Sequence, residues 1–143
     1  MEKKEQSRLE VFIETRLEKE GTINAMMDMR LESLDPSKHE VTLLFPVQTW
    51  QLNPAGHMHG GMLCTLMDMA MAAAAYNYSD SLIAPTISMS VNFVRGVNAN
   101  DTLKAVSYCD HAGSRLAQTR VLVYSQTSGK LVASANGSYA MNH

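Results

Sequence analysis

Apolar side chains recur along this chain with two different periods, and the periods divide it into elements. In residues 5–20 the apolar positions Leu9, Phe12, Ile13 and Leu17 fall three and four apart, and Gly21 follows. That spacing predicts a surface helix with one buried face, ended by a glycine that accepts a left-handed backbone. Residues 23–34 and 39–47 read as strands joined by the turn Asp35-Pro36-Ser37, with Val41, Leu43 and Phe45 on one face. Residues 48–59, with Pro54 and Gly56, read as irregular. In residues 60–78 only Thr65 is β-branched, and four alanines run from Ala72 to Ala75. Strong helix formers dominate there. A helix apolar on every side must be buried on every side, inside a wrapping sheet or between a sheet and a second subunit.

The remainder is β. Ile87, Met89, Val91 and Phe93 alternate with Ser88, Ser90 and Asn92, a period of two. Residues 102–109, 115–126 and 130–141 read as three more strands, and the turns around Asn98, Asp110 and Thr127 leave room only for antiparallel neighbours. The expected fold is α+β: an antiparallel sheet wrapped around a long central helix. The extra N-terminal helix occupies residues 1–21 and the main domain residues 22–143.

Composition narrows the picture. A chain of 143 residues suits one domain. With 45% apolar and 18% charged residues, disorder is excluded, and the slightly low charge points to surface hidden between subunits. A net charge of −2 and a pI near 6.2 argue against nucleic acid as the partner. The two cysteines, Cys64 and Cys109, cannot build a disulfide framework, which points to a reducing cytoplasm. Residues 1–10 are charged and lack the apolar core of a signal peptide. The apolar run 61–75 is too short to span a membrane and contains Asp68. A soluble cytoplasmic protein with no membrane contact is expected.

Three features carry candidate chemistry. Asp68 is the only charge between Met62 and Ala75, so it must be paired, protonated or at work. It reads equally as a satisfied structural aspartate or as a general base that activates water. The stretch Asn53-Pro54-Ala55-Gly56-His57-Met58-His59-Gly60-Gly61 runs directly into the helix. Free amides at a helix start polarise a carbonyl placed against them and stabilise a tetrahedral oxyanion, although a glycine turn also serves plain packing. His57 and His59 suggest a metal, but no third ligand lies close. His59 reads better as a loop-fixing residue and His57 as a solvated one. From Gly61 to Asp68 the helix rises about 10.5 Å, too far for one small reacting group to touch both. If both act on one carbonyl, two helices from two subunits lie antiparallel across a two-fold axis.

The loop-then-helix set Asn53, Gly56, His59-Gly60-Gly61 and Asp68 resembles the hotdog-fold acyl-CoA thioesterases of the PaaI type. Residues 87–94 and 113–141, including Thr127-Ser128-Gly129-Lys130-Leu131, resemble that family's later strands, so the likeness runs from Thr22 to the end. It implies the hotdog fold and hydrolysis of an acyl-CoA to a carboxylic acid and free coenzyme A. Asp68 would be base or nucleophile, Gly60 or Gly61 would bind the thioester oxygen, and Asn53 and His59 would help hold the thioester. Thr86 would orient the water, with Ser88 and Ser90 as nearby alternatives. Coenzyme A contacts would come from Phe93 and from His111, Gly113, Ser114 and Arg115, with Arg95 and Arg120 as other phosphate partners. No cofactor or metal is implied, coenzyme A being part of the substrate. The partners implied are an acyl-CoA and further copies of the chain, as a homodimer assembled into a homotetramer. Met62, Met67, Met69, Met71 and Met89 read as core filling or as an adaptable acyl tunnel. Two competing readings are a hotdog hydratase or dehydratase pairing His59 with Asp68, and a non-catalytic acyl-CoA sensor.

Overall fold

A computed structural model describes residues 9–15, 19–78 and 84–141. The expected N-terminal helix is helical over residues 9–15 (α1), and residues 5–8 and 16–18 of it lie outside the described residues. Leu9, Phe12 and Ile13 bury the inward face, and the Phe12 ring stacks on Tyr76 with centroids 4.1 Å apart. Gly21 takes φ +81° just after it, a conformation that favours glycine.

Residues 23–34, expected to be one strand, divide in two. Thr22 caps a single helical turn, Ile23–Met26 (α2), by accepting the Ala25 amide on its hydroxyl. Asp28 then enters the left-handed region at φ 51°, which an Asp tolerates better than most residues. Only Arg30–Asp35 is strand (β1). A short 3₁₀ turn, Pro36–Lys38, with Asp35 capping it, leads to Glu40–Pro46 (β2). A second 3₁₀ turn, Thr49–Gln51, opens the loop to the long helix Gly60–Tyr76 (α3). Four strands follow: Thr86–Phe93 (β3), Thr102–Ala112 (β4), Leu116–Ser125 (β5) and Leu131–Ala140 (β6).

The six strands form one antiparallel sheet in the order β1-β2-β4-β5-β6-β3, curled around α3. Its inner face is the alternating apolar set: Val41, Leu43 and Phe45 from β2, Leu103 and Ala105 from β4, Val121 and Val123 from β5, Ala133 and Ala135 from β6. Leu66, Met67, Ala70, Met71 and Ala74 of α3 pack against it. Small residues on the sheet let the helix approach closely. At Gly137 an added Cβ would stand 3.2 Å from the Met71 methyl and 3.1 Å from the Ser88 carbonyl. Buried hydroxyls are paired: Ser107 donates to the Val41 carbonyl and Thr119 to that of Gly137.

One stripe of α3 is not buried within the chain. Gly61, Thr65, Asp68 and Ala72 fall three and four apart, and all four keep some exposure. Beside them β3 is a sheet edge, and Ile87 and Phe93 are each 56% exposed. The alternation in β3 therefore marks faces correctly, but the chain alone does not cover the outer part of its apolar face.

Core packing on α3 yields the first prediction. Leu66→Ala removes a fully buried side chain and should cost roughly 2–5 kcal/mol of unfolding free energy, measured by urea titration. A loss below about 1 kcal/mol would contradict the helix-in-sheet core.

Candidate active site

The site begins with a register shift. Along β3 and β6, Thr86 pairs with Tyr139 and Ser88 with Ser138, so two steps on β3 match one on β6. This bulge at Ile87 puts Thr86 on the helix-facing side, the side opposite to Ser88, Ser90 and Asn92. There the Thr86 hydroxyl donates to Asp68 Oδ1 at 2.6 Å. Tyr139, its cross-strand neighbour, is fully buried and points the same way; its hydroxyl lies 2.8 Å from Asp68 Oδ1 and 3.0 Å from the Asp68 carbonyl. Two hydroxyl protons thus converge on Oδ1. Among the described residues Oδ2 has no partner.

Burial, and then the adjacent Asp68 carboxylate, push the Tyr139 phenol well above its ordinary range. It remains a proton donor at any working pH. No spacing in the chain points to this residue, because the contact spans 71 positions and depends on the strand register. Burial likewise pushes the Cys109 thiol up to about 11, so it stays protonated and is no nucleophile.

The loop before α3 is built on Asn53. Its side-chain oxygen accepts the amides of Ala55 and His57, and its own amide donates to the His57 carbonyl at 2.7 Å. Gly56 closes this turn at φ +86°. The Asn53 side-chain oxygen is therefore spent on the loop, while its side-chain nitrogen Nδ2 has no partner among the described residues. His59 is the N-cap of α3, and its Nδ1 accepts the Gly61 amide at 2.9 Å. As an acceptor at Nδ1 the ring carries its proton on Nε2. The capping bond decides between the two glycines. Gly61 has its N–H engaged, whereas the Gly60 N–H has no partner among the described residues and is the free amide at the helix start. The exposed Phe93 ring lies over it, 3.3 Å from where a Gly60 Cβ would stand.

The remaining expected contact residues do not gather here within one chain. His111 lies near the end of β4, and Gly113, Ser114 and Arg115 form the β4–β5 turn, beside Leu116, which pairs with Ala140. Phe93 pairs with Ala133, seven residues away on β6, so the two groups stand about 20 Å apart along the sheet. Arg95 donates through Nε to the Leu131 carbonyl. Arg120 is paired with Asp110 on the outer sheet face and covers the Tyr108 ring at 4.0 Å. Ser88 and Ser90 also face outward, away from Asp68. Among the described residues no three His, Cys, Asp or Glu side chains converge as metal ligands. Nor, among the described residues, is any helix long and apolar enough to cross a membrane.

Asp68 and Thr86 open onto a cavity of about 290 Å³ whose other walls include Phe12, Met29, Met69 and Ala72. Of the methionines considered as an acyl lining, Met69 borders this space, while Met67 and Met71 belong to the core.

A carboxylate with one oxygen held and the other open, a hydroxyl beside it, and a bare helix-start amide make a set suited to acyl transfer with water. Residues 55–132, just over half the chain, match the family model of the thioesterase superfamily. The chain belongs to the thioesterase superfamily. It is a thioester hydrolase with the PaaI-type hotdog fold. A PaaI variant from Thermus thermophilus is 27% identical, with 82% of this chain and 96% of that one aligned at a TM-score of 0.71. A Streptococcus mutans protein solved with acetyl-CoA is 25% identical over 80% of this chain and 89% of its own, at a TM-score of 0.72. The Escherichia coli PaaI protein shares the fold at a TM-score of 0.77, 22% identical over 94% of this chain and 96% of its own. No curated protein is similar enough in sequence to count as a match.

The held oxygen of Asp68 leads to a prediction about Tyr139. Tyr139→Phe keeps the ring and removes the donor to a carboxylate, a bond of about 1.5–3 kcal/mol. In this thioesterase kcat should fall roughly tenfold or more with KM little changed, read by thiol release under steady-state conditions. An unaltered kcat would mean that Thr86 alone orients the carboxylate.

Proposed function

We propose that the protein hydrolyses an acyl-CoA to a carboxylic acid and free coenzyme A at two identical sites of a dimer. The observation that carries this reading is the pairing of an open Asp68 Oδ2 with an unpartnered Gly60 amide on the same helix. The two lie eight residues apart, about 12 Å along the axis, so one carbonyl cannot reach both in one chain. The partly exposed stripe Gly61, Thr65, Asp68 and Ala72 and the open β3 edge with Ile87 and Phe93 supply a face for a second copy. Two such faces related by a two-fold axis bring Asp68 of one protomer towards Gly60 of the partner subunit.

The chemistry then follows from the donors and acceptors. The thioester oxygen rests on the helix-start amide, which gains strength as the oxygen becomes an oxyanion. The Thr86 hydroxyl donates its hydrogen bond to Oδ1, and its lone pairs remain to accept one from a water lying between it and Oδ2. Oδ2 takes the other proton as the water oxygen attacks the carbonyl carbon. The tetrahedral intermediate collapses, the C–S bond breaks, and the proton passes to the departing thiolate. His59, with Nδ1 committed to Gly61, has its Nε2 proton for the bound thioester, and Asn53 Nδ2 is available to the same group. Phe93 and the His111–Arg115 turn, remote in one chain, are brought nearer by antiparallel β3 edges and suit the coenzyme A moiety. Acetyl-CoA in the S. mutans relative supports coenzyme A as the thiol carrier. The match of residues 55–132 to the thioesterase superfamily favours hydrolysis over the hydratase reading.

Two variants test the assignment and the symmetry together. Asp68→Asn should lower kcat/KM by about 10²–10⁴ with folding intact, since that is what a general base contributes. Gly60→Pro deletes the free N–H at the first helical position, where proline is well tolerated. The extended backbone of His59, φ −61° and ψ 137°, suits a following proline. Each variant alone should be nearly inactive. Co-refolded, they should regain activity, because a mixed dimer holds one intact site. If the mixture stays inactive while both variants fold and assemble, the shared-site reading fails.

A further inference from the structure

We infer that Gln48 and Gln51 are positioning residues for the hydrolysis, holding the Gly60 amide in the direction from which it meets the thioester oxygen. The inference rests on the reading of that amide as the oxyanion donor. Gln51 is 1% exposed, the one carboxamide among the buried side chains of the described residues. Its Nε2 donates to the Met27 sulfur at 3.2 Å, and a thioether is a weak acceptor. Packing alone would place a methionine or leucine there, of similar volume and with no polar atoms to withdraw from water.

The bonds of the two glutamines fix a turn in place. Gln51 Oε1 accepts the Gln48 amide at 2.8 Å, which closes the 3₁₀ turn Thr49–Gln51 from its leading side. The half-buried Gln48 side chain reaches back to α2, where its Nε2 donates to the Met26 carbonyl at 2.7 Å. Its Oε1 accepts the Trp50 indole N–H. Through Met26 and Met27 the two side chains tie the turn to the end of α2. A single 3₁₀ turn has poor hydrogen-bond geometry of its own, so these side-chain bonds set its direction.

That direction passes to the helix start. The Gln51 carbonyl accepts the His59 amide at 2.8 Å, Leu52 bridges Met58, and the Asn53 amide donates to the His57 carbonyl. Residues 51–59 thus form a narrow hairpin with Gln51 and His59 at its open end. The bond from Met58 to the Val97 carbonyl holds the middle of the returning arm. The bond to Gln51 holds the end of that arm, next to the His59–Gly60 peptide whose N–H is free. Both glutamines therefore act through His59 and Gly60, without touching the reacting atoms.

Thiol release is measured for Gln51→Met, which keeps the length of the side chain without its amide, and for Gln48→Ala, which alters a half-exposed position. In Gln51→Met kcat should fall about tenfold and in Gln48→Ala about threefold, each with KM little changed, since a small misplacement of an oxyanion donor loses part of its effect. Val41→Ala, a buried position at the opposite end of β2, should lose stability and keep its kcat. Each glutamine variant is also made with Gly60→Pro, where the amide is gone and the residual rate should fall no further. An unchanged kcat in either folded glutamine variant overturns the inference. So does an undiminished loss in the Gly60→Pro background, or an equal loss in Val41→Ala. If Gln51→Met fails to fold, Gln48→Ala decides by the same criteria. A wild-type kcat in Gly60→Pro alone would instead defeat the reading of the amide itself.

Discussion

The structure depends on how one carboxylate is accommodated in an apolar helix. Asp68 sits among methionines and alanines on α3, where an unpaired charge would cost several kcal/mol. Two hydroxyls meet that cost on one oxygen only, Thr86 from β3 and Tyr139 from β6. Because both donors approach Oδ1, the carboxylate is fixed in rotation and its second oxygen is left for chemistry. In the proposed mechanism, stability and reactivity are divided between two atoms of one group. The division needs the bulge at Ile87, without which Thr86 would face outward with Ser88 and Ser90.

The helix start shows the same economy. Of the amides unpaired at an α-helix N-terminus, the His59 ring satisfies Gly61 and the His59 carbonyl accepts those of Met62 and Leu63. Among the described residues only the Gly60 amide is left without a partner. The Asn53 loop exists to hold His59 in that capping position: Asn53 ties the turn, Gly56 permits its left-handed residue, and the Met58 amide anchors it to the Val97 carbonyl. A side chain at position 60 would press on the Phe93 ring, so the glycine keeps the amide approachable from the partly exposed side.

Much of this was legible in the residues because it follows from period and composition. The alternation in β2 and in β4 to β6, and the near absence of β-branched residues in α3, predicted a helix inside a sheet with the correct elements. Asp68 stood out as a lone charge, and the loop from Asn53 to Gly61 as an unusual helix entry. What stayed hidden was set by tertiary register. Tyr139 looks like one more strand aromatic, and only its pairing opposite Thr86 brings its hydroxyl to Asp68. Residues Ile23–Met26 read as strand because four residues show no helical period; the cap at Thr22 and the left-handed Asp28 make them a helical turn. The choice between Gly60 and Gly61 rested on one ring nitrogen, which no spacing reveals.

The proposed dimer gives these separate economies a common cause. A helix is a rigid ruler, and placing the base and the amide eight positions apart makes it impossible for one chain to complete a site by a small adjustment of side chains. Completion then requires the face that the chain leaves uncovered, the stripe on α3 and the edge of β3. Covering that face buries Ile87 and Phe93, so the apolar area that favours association and the atoms that favour hydrolysis lie on the same surface. In that arrangement a monomer would hold neither a finished site nor a finished core, and assembly and activity would be coupled through the same residues.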